Sequence, residues 1–304
     1  MAAKTKGVWL AISGCICWGA SGAFAQYLFT HQGVTPSWLV GMRLAIAGVL
    51  LLIWSGVTNP GQLFSIWRHR RSAGQLLAFA LCGMVPSQFT YFSAVNYGNA
   101  ATATILQFTG PLFIIGALAV IHRQWPRRID FICALIALFG VYLMVTKGHL
   151  TSLQLAPLAV FWGVLAGVSQ ALYTLIPIQL LRHFDAKLVT GWAMLLGSLI
   201  FMPHIATSPV PPLNAVGWGG VVFVGVIGTM FAYLLYLDSL QYLQPATTGM
   251  LSSFEPLSAT LITVVVLHTA FGLPEVMGGL LVLATAFLQA FSSKPLTRVK
   301  SKPV

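Results

Sequence analysis

Long apolar runs alternate along the chain with short polar and basic segments. A helix needs about 20 mostly apolar residues to cross the hydrocarbon core of a bilayer. The sequence therefore predicts membrane spans near residues 8–28, 37–56, 74–96, 100–121, 130–146, 156–181, 188–207, 217–240, 245–267 and 276–292. Very short turns join two pairs of these ten spans: Gly98-Asn99 links the third and fourth as an antiparallel hairpin, and the eighth and ninth meet near Gln244-Pro245.

The composition supports a membrane protein. The 304 residues are 57% hydrophobic and only 7% charged, with a mean hydropathy of +0.85, whereas about a quarter of the residues are charged in soluble domains. A soluble fold could not bury this much apolar surface, so we predict an all-α integral membrane protein. The first apolar run continues to Leu28. We therefore interpret it as an uncleaved span rather than a signal peptide.

The net charge of +11 is distributed as membrane topology. With the N-terminus in the cytoplasm, 14 of the 16 Lys and Arg residues fall in cytoplasmic segments, one (Lys147) falls outside, and Arg43 lies within a span. This asymmetry follows the positive-inside rule. It predicts that both termini are cytoplasmic, that the protein is a multi-pass protein of the cell (cytoplasmic) membrane, and that its partners are lipid and a small molecule rather than nucleic acid.

The chain contains an internal repeat. A shift of 145 residues aligns Tyr91, Tyr97, Ala101, Thr102, Leu106, Pro111 and Leu112 with Tyr236, Tyr242, Ala246, Thr247, Leu251, Pro256 and Leu257. A shift of 144 aligns Trp18, Gly19 and Gln26 with Trp162, Gly163 and Gln170. The halves 8–146 and 156–292 each hold five spans, and because five is odd the second half enters the membrane from the opposite side. Ten helices in two inverted five-helix repeats favour a secondary transporter.

Several segments resemble the EamA-type transporters of the drug/metabolite transporter superfamily, over roughly residues 8–292. The resembling segments are CWGASGAF, GMRLAIAGVLL with Arg43, YFSAVNYGNAATATILQFTGPL, ALIALFGVYLMV, FWGVLAG and YLLYLDSLQYLQPATTGMLSSFEPLSATL. The resemblance implies a central cavity lined by the first, third, fourth, sixth, eighth and ninth helices. It also implies that the fifth and tenth helices lie at the periphery. Members of this family export amino acids or other small metabolites, and some carry drugs.

The function we predict is secondary transport, with export of small metabolites such as amino acids by alternating access. Three alternatives stay open at this point: an uptake permease on the same fold, a multidrug exporter and a membrane-embedded enzyme. The sequence contains no HExxH, GxSxG or Walker-type loop. We therefore expect no catalytic residues, no metal and no cofactor. The direction of transport, proton coupling and the oligomeric state do not follow from the residues.

Polar groups within spans are costly and should face a cavity or a partner. The predicted substrate-binding residues are Trp18, Gln88, Tyr91, Gln107, Trp162, Gln170, Tyr173, Tyr233, Tyr236, Ser252 and Glu255. They would form a cavity with aromatic walls, scattered amides and hydroxyls, and little fixed charge. Such a lining suits zwitterionic or aromatic small molecules, and cation–π attraction could hold an ammonium group. For Trp18 and Trp162, helix packing is an equal alternative.

Two charged residues within spans have more than one interpretation. Glu255 could bind the ammonium group of a substrate, take up and release a proton, or satisfy backbone donors freed around Pro256. On a helix it would share one face with Thr248 and Ser252. For Arg43 we favour a structural pair or snorkelling toward the headgroups over gating. The sequence does not determine whether Arg43 and Glu255 meet.

Prolines at equivalent positions of the two halves predict matched kinks. Pro111 lies within the fourth span and Pro256 within the ninth. Each lacks the N–H that would continue the helical hydrogen bonding. We therefore predict that both prolines are hinges.

Overall fold

A computed structural model describes residues 2–123, 128–147, 155–239, 242–243 and 251–292, and these contain helices but no β-strand. The helices are α1 (Ala2–His31), α2 (Pro36–Thr58), α3 (Arg70–Tyr97), α4 (Ala100–Gln107 and Gly110–His122), α5 (Arg128–Thr146), α6 (Pro157–Leu175, continued by Ile178–Leu181), α7 (Ala186–Thr207), α8 (Ala215–Ser239), α9 (Phe254–Val265) and α10 (Leu273–Ser292). Short 3₁₀ turns, Pro60–Gln62 and Ser65–Arg68, connect α2 to α3.

Polar caps start several helices where the apolar runs begin. The side chains of Thr35, Asp185 and Asn214 accept hydrogen bonds from the first backbone N–H groups of α2, α7 and α8. Asn99 does the same for α4, with its Oδ1 2.8 Å from the Thr102 nitrogen. Because these N–H groups have no partner within a helix, the caps fix the helix starts. The hairpin at Gly98-Asn99 is confirmed, whereas the junction near Gln244-Pro245 lies outside the described residues.

The prediction of an all-α membrane protein is confirmed at a coarse level. Within the described ranges, seven helices are long and apolar enough to cross a membrane, namely α1, α2, α3, α4, α6, α7 and α8. The remaining three predicted spans contain shorter apolar helices, Phe131–Met144, Phe254–Val265 and Leu273–Thr285. Many large apolar side chains on these helices are exposed on the outside of the bundle, as expected for a surface that faces lipid.

Helices of one half pack against helices of the other. α3 lies antiparallel to α6, because Gln75 contacts Ile176 near one end of the pair and Phe89 contacts Trp162 near the other. The equivalent helices α8 and α1 form the same kind of antiparallel pair. Likewise α4 packs on α6, and α9 packs on α1. Each of α1 and α6, which are equivalent, therefore packs on two helices of the other half, and those two pairs of helices are equivalent as well.

Two further contacts join a helix to its own counterpart. α2 packs on α7, where a Cβ added at Gly41 would lie 2.7 Å from the Cβ of Phe201, and one added at Gly191 would lie 3.2 Å from the Cβ of Leu51. The N-caps Thr35 and Asp185 align α2 with α7 at a shift of 150 residues. At this shift Gly41 corresponds to Gly191 and Leu51 to Phe201, so the two contacts are equivalent. α5 packs on α10 in the same manner, and at Gly278 a Cβ would meet the backbone of Gly140.

An ion pair closes one end of the α5–α10 contact. Lys147 Nζ lies 3.3 Å from Oε1 of Glu275, whose side chain is only 2% exposed. The second carboxylate oxygen of Glu275 accepts a hydrogen bond of 2.6 Å from the backbone N–H of Gly272. Glu275 therefore secures the start of α10 and joins it to the end of α5.

Irregular segments recur at equivalent positions of the halves. Residues 108–109 interrupt α4 just before Pro111, and residues 252–253 form a turn just before Phe254 and Pro256. π-Helical segments also match, Phe79–Met84 in α3 and Phe223–Phe231 in α8. Since π-helical turns occur frequently at functional sites, these segments direct attention to the helix faces beside them.

The bundle has two distinguishable ends. We call the end that carries Lys4, Arg70 and Arg182 the basic end, and the opposite one the neutral end. The candidate site lies between them, where α1, α3, α4, α6, α8 and α9 approach one another.

Candidate functional site

Four of the predicted residues form a cluster of rings, which we call the aromatic cluster: Trp18, Tyr173, Tyr233 and Tyr236. Trp18 lies between the two tyrosines of α8, with centroid distances of 5.1 Å to both Tyr233 and Tyr236. Tyr173 of α6 reaches Tyr233 at 6.4 Å and also packs on Phe79 of α3 at 5.5 Å. All four clustered rings are partly exposed, and Tyr173 and Tyr233 also pack against the hydrophobic core.

The predicted amides Gln107 and Gln170 meet across the α4–α6 contact. Nε2 of Gln107 donates to Oε1 of Gln170 over 3.5 Å, and both side chains are partly exposed. Gln107 is the last residue before the interruption of α4. The two amides, which were predicted on separate helices, are thus neighbours across this contact.

Arg43 is buried, and of the two structural interpretations given above, a pair within the bundle fits its contacts whereas snorkelling toward the headgroups is wrong. Its side chain is 4% exposed, and its Nε–H donates to Thr229 Oγ1 over 2.9 Å. The guanidinium carbon lies 4.5 Å from the centroid of the Phe92 ring. Arg43 therefore points into the bundle, held by α8 and α3 rather than by headgroups.

The π-helical segment of α8 positions the partner of Arg43. Thr229 lies within that segment, and its hydroxyl donates to the carbonyl of Val224 over 2.7 Å, five residues earlier. This bond leaves the oxygen of Thr229 free to accept from Arg43. The sequence carries no local signal for the contact, because Arg43 and Thr229 are 186 residues apart.

Glu255 lies in the first turn of α9 with a partly exposed side chain. It interacts electrostatically with Arg43, but no contact ion pair joins the two. No described residue donates a hydrogen bond to the carboxylate, and the backbone carbonyl of Glu255 is instead satisfied by the hydroxyl of Ser258 at 2.9 Å. Within the described residues, Glu255 thus does not satisfy the donors freed around Pro256.

The other predicted residues are less closely gathered. Tyr91 is buried, with its hydroxyl 3.0 Å from Thr104 Oγ1, and it interacts electrostatically with both Arg43 and Glu255. Trp162 packs on Phe89 at 5.5 Å, a contact between α6 and α3.

Gln88 and Ser252 do not join the cluster. Gln88 is partly exposed on α3, and no hydrogen bond joins it to a described residue. Ser252 lies in the turn before α9, so the shared helical face predicted for it and Glu255 does not form, and Thr248 lies outside the described residues.

A buried amide joins three elements at the neutral end. Gln26 is 8% exposed; its Oε1 accepts from the backbone N–H of Ala100 over 2.9 Å, and its Nε2 donates to Thr269 Oγ1 over 3.2 Å. The side chain therefore joins α1 to the start of α4 and to the loop before α10. Its repeat partner Gln170 is the only signal for this role in the sequence.

The basic end has a cleft of about 500 Å³ between the start of α3 and the end of α6. It is lined by His69, Arg71, Ser72, Gln75, Gln179, Leu180, His183 and Phe184. At its inner side Gln75 Nε2 donates to the carbonyl of Ile176 over 3.3 Å. One helical turn deeper, Phe79 meets Tyr173 of the aromatic cluster. The cleft and the aromatic cluster therefore lie along the same α3–α6 contact.

The two halves pack differently at equivalent glycines. A Cβ added at Gly19 of α1 would meet Ser258 and the backbone of Glu255 and Ala259 on α9. At its counterpart Gly163, the three atoms nearest to an added Cβ all belong to the Leu106 side chain on α4. At the 145-residue shift Leu106 corresponds to Leu251, which precedes Glu255 by about one helical turn.

Across the part of the chain that the structure describes, no three His, Cys, Asp or Glu side chains are grouped so that they could hold a metal ion. What the site offers is a partly exposed carboxylate, a buried guanidinium, amides and aromatic rings. These groups bind polar organic molecules by charge, hydrogen bonds and stacking.

Known proteins share both the sequence pattern and the fold. The model of the EamA-like transporter family matches residues 5–146 and again residues 157–291. An uncharacterized inner membrane transporter of Salmonella typhimurium, YicL, is 33% identical over 301 residues, which cover 98% of this chain and 99% of that protein. The threonine/homoserine exporter RhtA of Salmonella typhimurium is 26% identical over 294 residues, which cover 94% of this chain and 88% of that protein.

A protein of known crystal structure shares the fold, with a TM-score of 0.63 and 19% identity over 94% of this chain and 97% of its own. The apolar helices and the inner membrane relatives identify a multi-pass protein of the cell membrane. The family model matches both halves in turn. The relatives are transporters, in agreement with the resemblance seen in the sequence. The chain belongs to the EamA-like transporter family.

Proposed function

We propose that this protein is a secondary transporter that exports small metabolites such as amino acids by alternating access. The observation that carries the proposal is the exchange of partners between the halves, in which α1 packs on α8 and α9 while α6 packs on α3 and α4. Inverted repeats of this kind place a substrate site where the halves meet. The aromatic cluster, Gln107, Gln170 and Glu255 lie in that region.

In this proposal ten spans form two inverted five-helix repeats, residues 8–146 and 156–292. The basic end faces the cytoplasm, because Lys and Arg residues are retained there. Both termini are then cytoplasmic, and the cleft between α3 and α6 is the cytoplasmic entrance. The Gln26 contacts close the opposite, external end.

The proposed substrate-binding residues are those predicted from the sequence: Trp18, Gln88, Tyr91, Gln107, Trp162, Gln170, Tyr173, Tyr233, Tyr236, Ser252 and Glu255. The aromatic rings would stack on or enclose the apolar part of a substrate, and Glu255 would bind its cationic group. Pro111 and Pro256 would act as hinges, which their positions directly after the matched helix interruptions support. That the relative RhtA is a threonine/homoserine exporter supports amino acids as the substrate class.

The decisive experiment compares culture medium from cells that make the wild type with medium from cells that make Glu255→Gln, by mass spectrometry at equal expression. We expect one or more amino acids to be enriched with the wild type and at least about tenfold less with Glu255→Gln, as expected for loss of a charged contact. Asp185→Asn is the matched control, because Asp185 caps α7 on the surface and Asn caps equally well.

Enrichment with neither protein would contradict export. Equal enrichment with wild type and Glu255→Gln would keep the transporter and remove Glu255 from the mechanism. Proton exchange and simple facilitation use the same cavity, and transport into vesicles with and without an imposed proton gradient separates them.

A further inference from the structure

We propose that Arg43 and Glu255 form a two-point receptor for a zwitterion, in which Arg43 binds the carboxylate and Glu255 the ammonium group of an α-amino acid. The inference rests on the proposed transport function and specifies the chemistry of its substrate. It also gives a binding role to Arg43, for which the sequence favoured a structural one.

Most donors of the Arg43 guanidinium have no acceptor among the residues that the structure describes. Arg carries five N–H groups, and the one on Nε is bound to Thr229. The remaining four, on Nη1 and Nη2, make no hydrogen bond to any described residue, and they are not among the fully enclosed atoms without partners. Both Nη atoms therefore keep a small accessible surface, in a side chain that is 4% exposed overall. A buried cation with unpaired donors is costly, and an incoming carboxylate would remove that cost with a bidentate contact.

Glu255 complements Arg43. Its carboxylate accepts no hydrogen bond from the described residues, and it too is not fully enclosed. The two charges interact electrostatically, together with Tyr91 and Tyr233, yet they do not meet as a contact ion pair. The two side chains are therefore near each other without touching, and in the proposed complex the carboxylate of one amino acid would pair with Arg43 and its ammonium group with Glu255.

The repeat argues against a packing role for these charges. Counted from the N-caps Thr35 and Asp185, the counterpart of Arg43 is Ala193. The counterpart of Glu255 at the 145-residue shift is Gly110. A contact that both halves share would need the same residue type in both. Each charge instead occurs in only one half, and the two come together between the halves.

A site with one cationic and one anionic side chain selects substrates whose net charge is zero. One cation and one anion leave no excess charge in the site when a zwitterion binds, whereas a simple amine or a simple carboxylic acid leaves one charge unpaired. Unpaired charge in a low-dielectric site is strongly disfavoured. The neighbouring rings of Trp18 and Tyr233 would then contact the side chain of the amino acid.

The test measures uptake by the purified full chain in proteoliposomes, with two sets of probes: the L-α-amino acids found in proteins, and their methyl esters. An ester keeps the ammonium group but loses the carboxylate charge. We expect the wild type to prefer amino acids. Arg43→Gln should lower amino-acid uptake at least about tenfold and raise ester uptake, because the repulsion between Arg43 and the cationic ester is removed. Glu255→Gln should lower uptake of both. Arg70→Gln, a charge change at the exposed basic end, is the matched control.

A merely structural Arg43 would lower both uptakes together and leave their ratio unchanged, and that result would overturn the proposal. If Arg43→Gln does not fold, Arg43→Lys replaces it, since the charge stays while the planar fork is lost; the amino-acid preference should then fall but not reverse. Uptake of amines or carboxylic acids but not of amino acids by the wild type would overturn the zwitterion receptor and keep the transporter. Uptake of no probe, with no enrichment in the culture medium, would overturn both proposals.

Discussion

α1 and α6 are the same element of the two halves, yet they are packed differently. Gly19 on α1 faces the start of α9 at Glu255, whereas Gly163 on α6 faces Leu106, one turn before the equivalent point of α4. Gln26 on α1 is buried with two short hydrogen bonds, whereas Gln170 on α6 is partly exposed and makes one long contact. One sequence pattern therefore supports two packings.

The difference teaches how such a molecule could change state. A displacement of four residues along a helix is about 6 Å, and glycine at the contact lets the backbones approach closely in either register. If the halves exchanged their packings, the neutral end would lose the Gln26 contacts and the basic end would gain the equivalent ones. Alternating access in inverted repeats requires such an exchange.

The largest expected effect comes from adding a methyl group at Gly19, where α1 and α9 are in close contact. In Gly19→Ala the new methyl would overlap the carbonyl oxygen of Glu255 at 2.6 Å and the nitrogen of Ala259 at 2.8 Å. Because these are backbone atoms, α1 and α9 must separate, at a cost of about 2–3 kcal/mol. We expect transport into vesicles to fall at least about tenfold.

Gly163→Ala tests the other half. The three atoms nearest to its methyl all belong to the Leu106 side chain, including Cβ at 2.9 Å. Because a side chain rather than a carbonyl oxygen and an amide nitrogen must shift, we expect a smaller cost of about 1–2 kcal/mol and transport within about threefold of wild type. Gly116→Ala is the control, since a Cβ there meets nothing within 4 Å. Thermal unfolding in detergent reports the cost, and equal losses for Gly19→Ala and Gly163→Ala would refute the difference between the halves.

An intermediate effect is expected from the two amides. Gln26→Ala removes both bonds at the neutral end and should raise the reactivity of a cysteine introduced at Ala100 toward an external, membrane-impermeant maleimide about tenfold, in a background without the native cysteines. The size follows from about 1–2 kcal/mol for buried hydrogen bonds. Gln170→Ala should leave this reactivity unchanged. If both substitutions raise it equally, the neutral end is not closed by Gln26.

The smallest effect is expected where the halves agree. Pro111→Ala and Pro256→Ala each restore a backbone N–H beside the matched interruptions, which stiffens one helix of each half. We expect each to slow transport about threefold, as for hinges that gate a step, with unchanged expression. Combined replacement should slow transport further. Loss of the folded protein would make the prolines structural.

The sequence was sufficient wherever the determinant is local. The apolar runs placed the helices, since burial in lipid depends on composition along each segment. Pro111 and Pro256, for which matched kinks were predicted, follow closely on the turns at 108–109 and 252–253. Of the aromatic cluster, Trp18 and Tyr236 lie at repeated positions, with Trp162 and Tyr91 as their counterparts.

The sequence failed where the determinant is a distant partner. The burial of Arg43 depends on Thr229, which accepts its hydrogen bond only because a π-helical segment orients it. Ser252 was placed on a helical face that the turn before α9 removes. Gln26 joins Ala100 and Thr269, two points far apart in the chain, so its role could not be inferred from spacing.

The contact between α5 and α10 has a consequence for the origin of the chain. It joins a helix to its own counterpart through Gly140 and Gly278, as α2 joins α7. Contacts of this kind are isologous, the type found in two-fold homodimers. A five-helix ancestor that inserted into the membrane in both orientations could have used the same two seams between separate subunits. Gene fusion would then have raised only the effective concentration of one half for the other, because both interfaces would already have existed between the separate subunits.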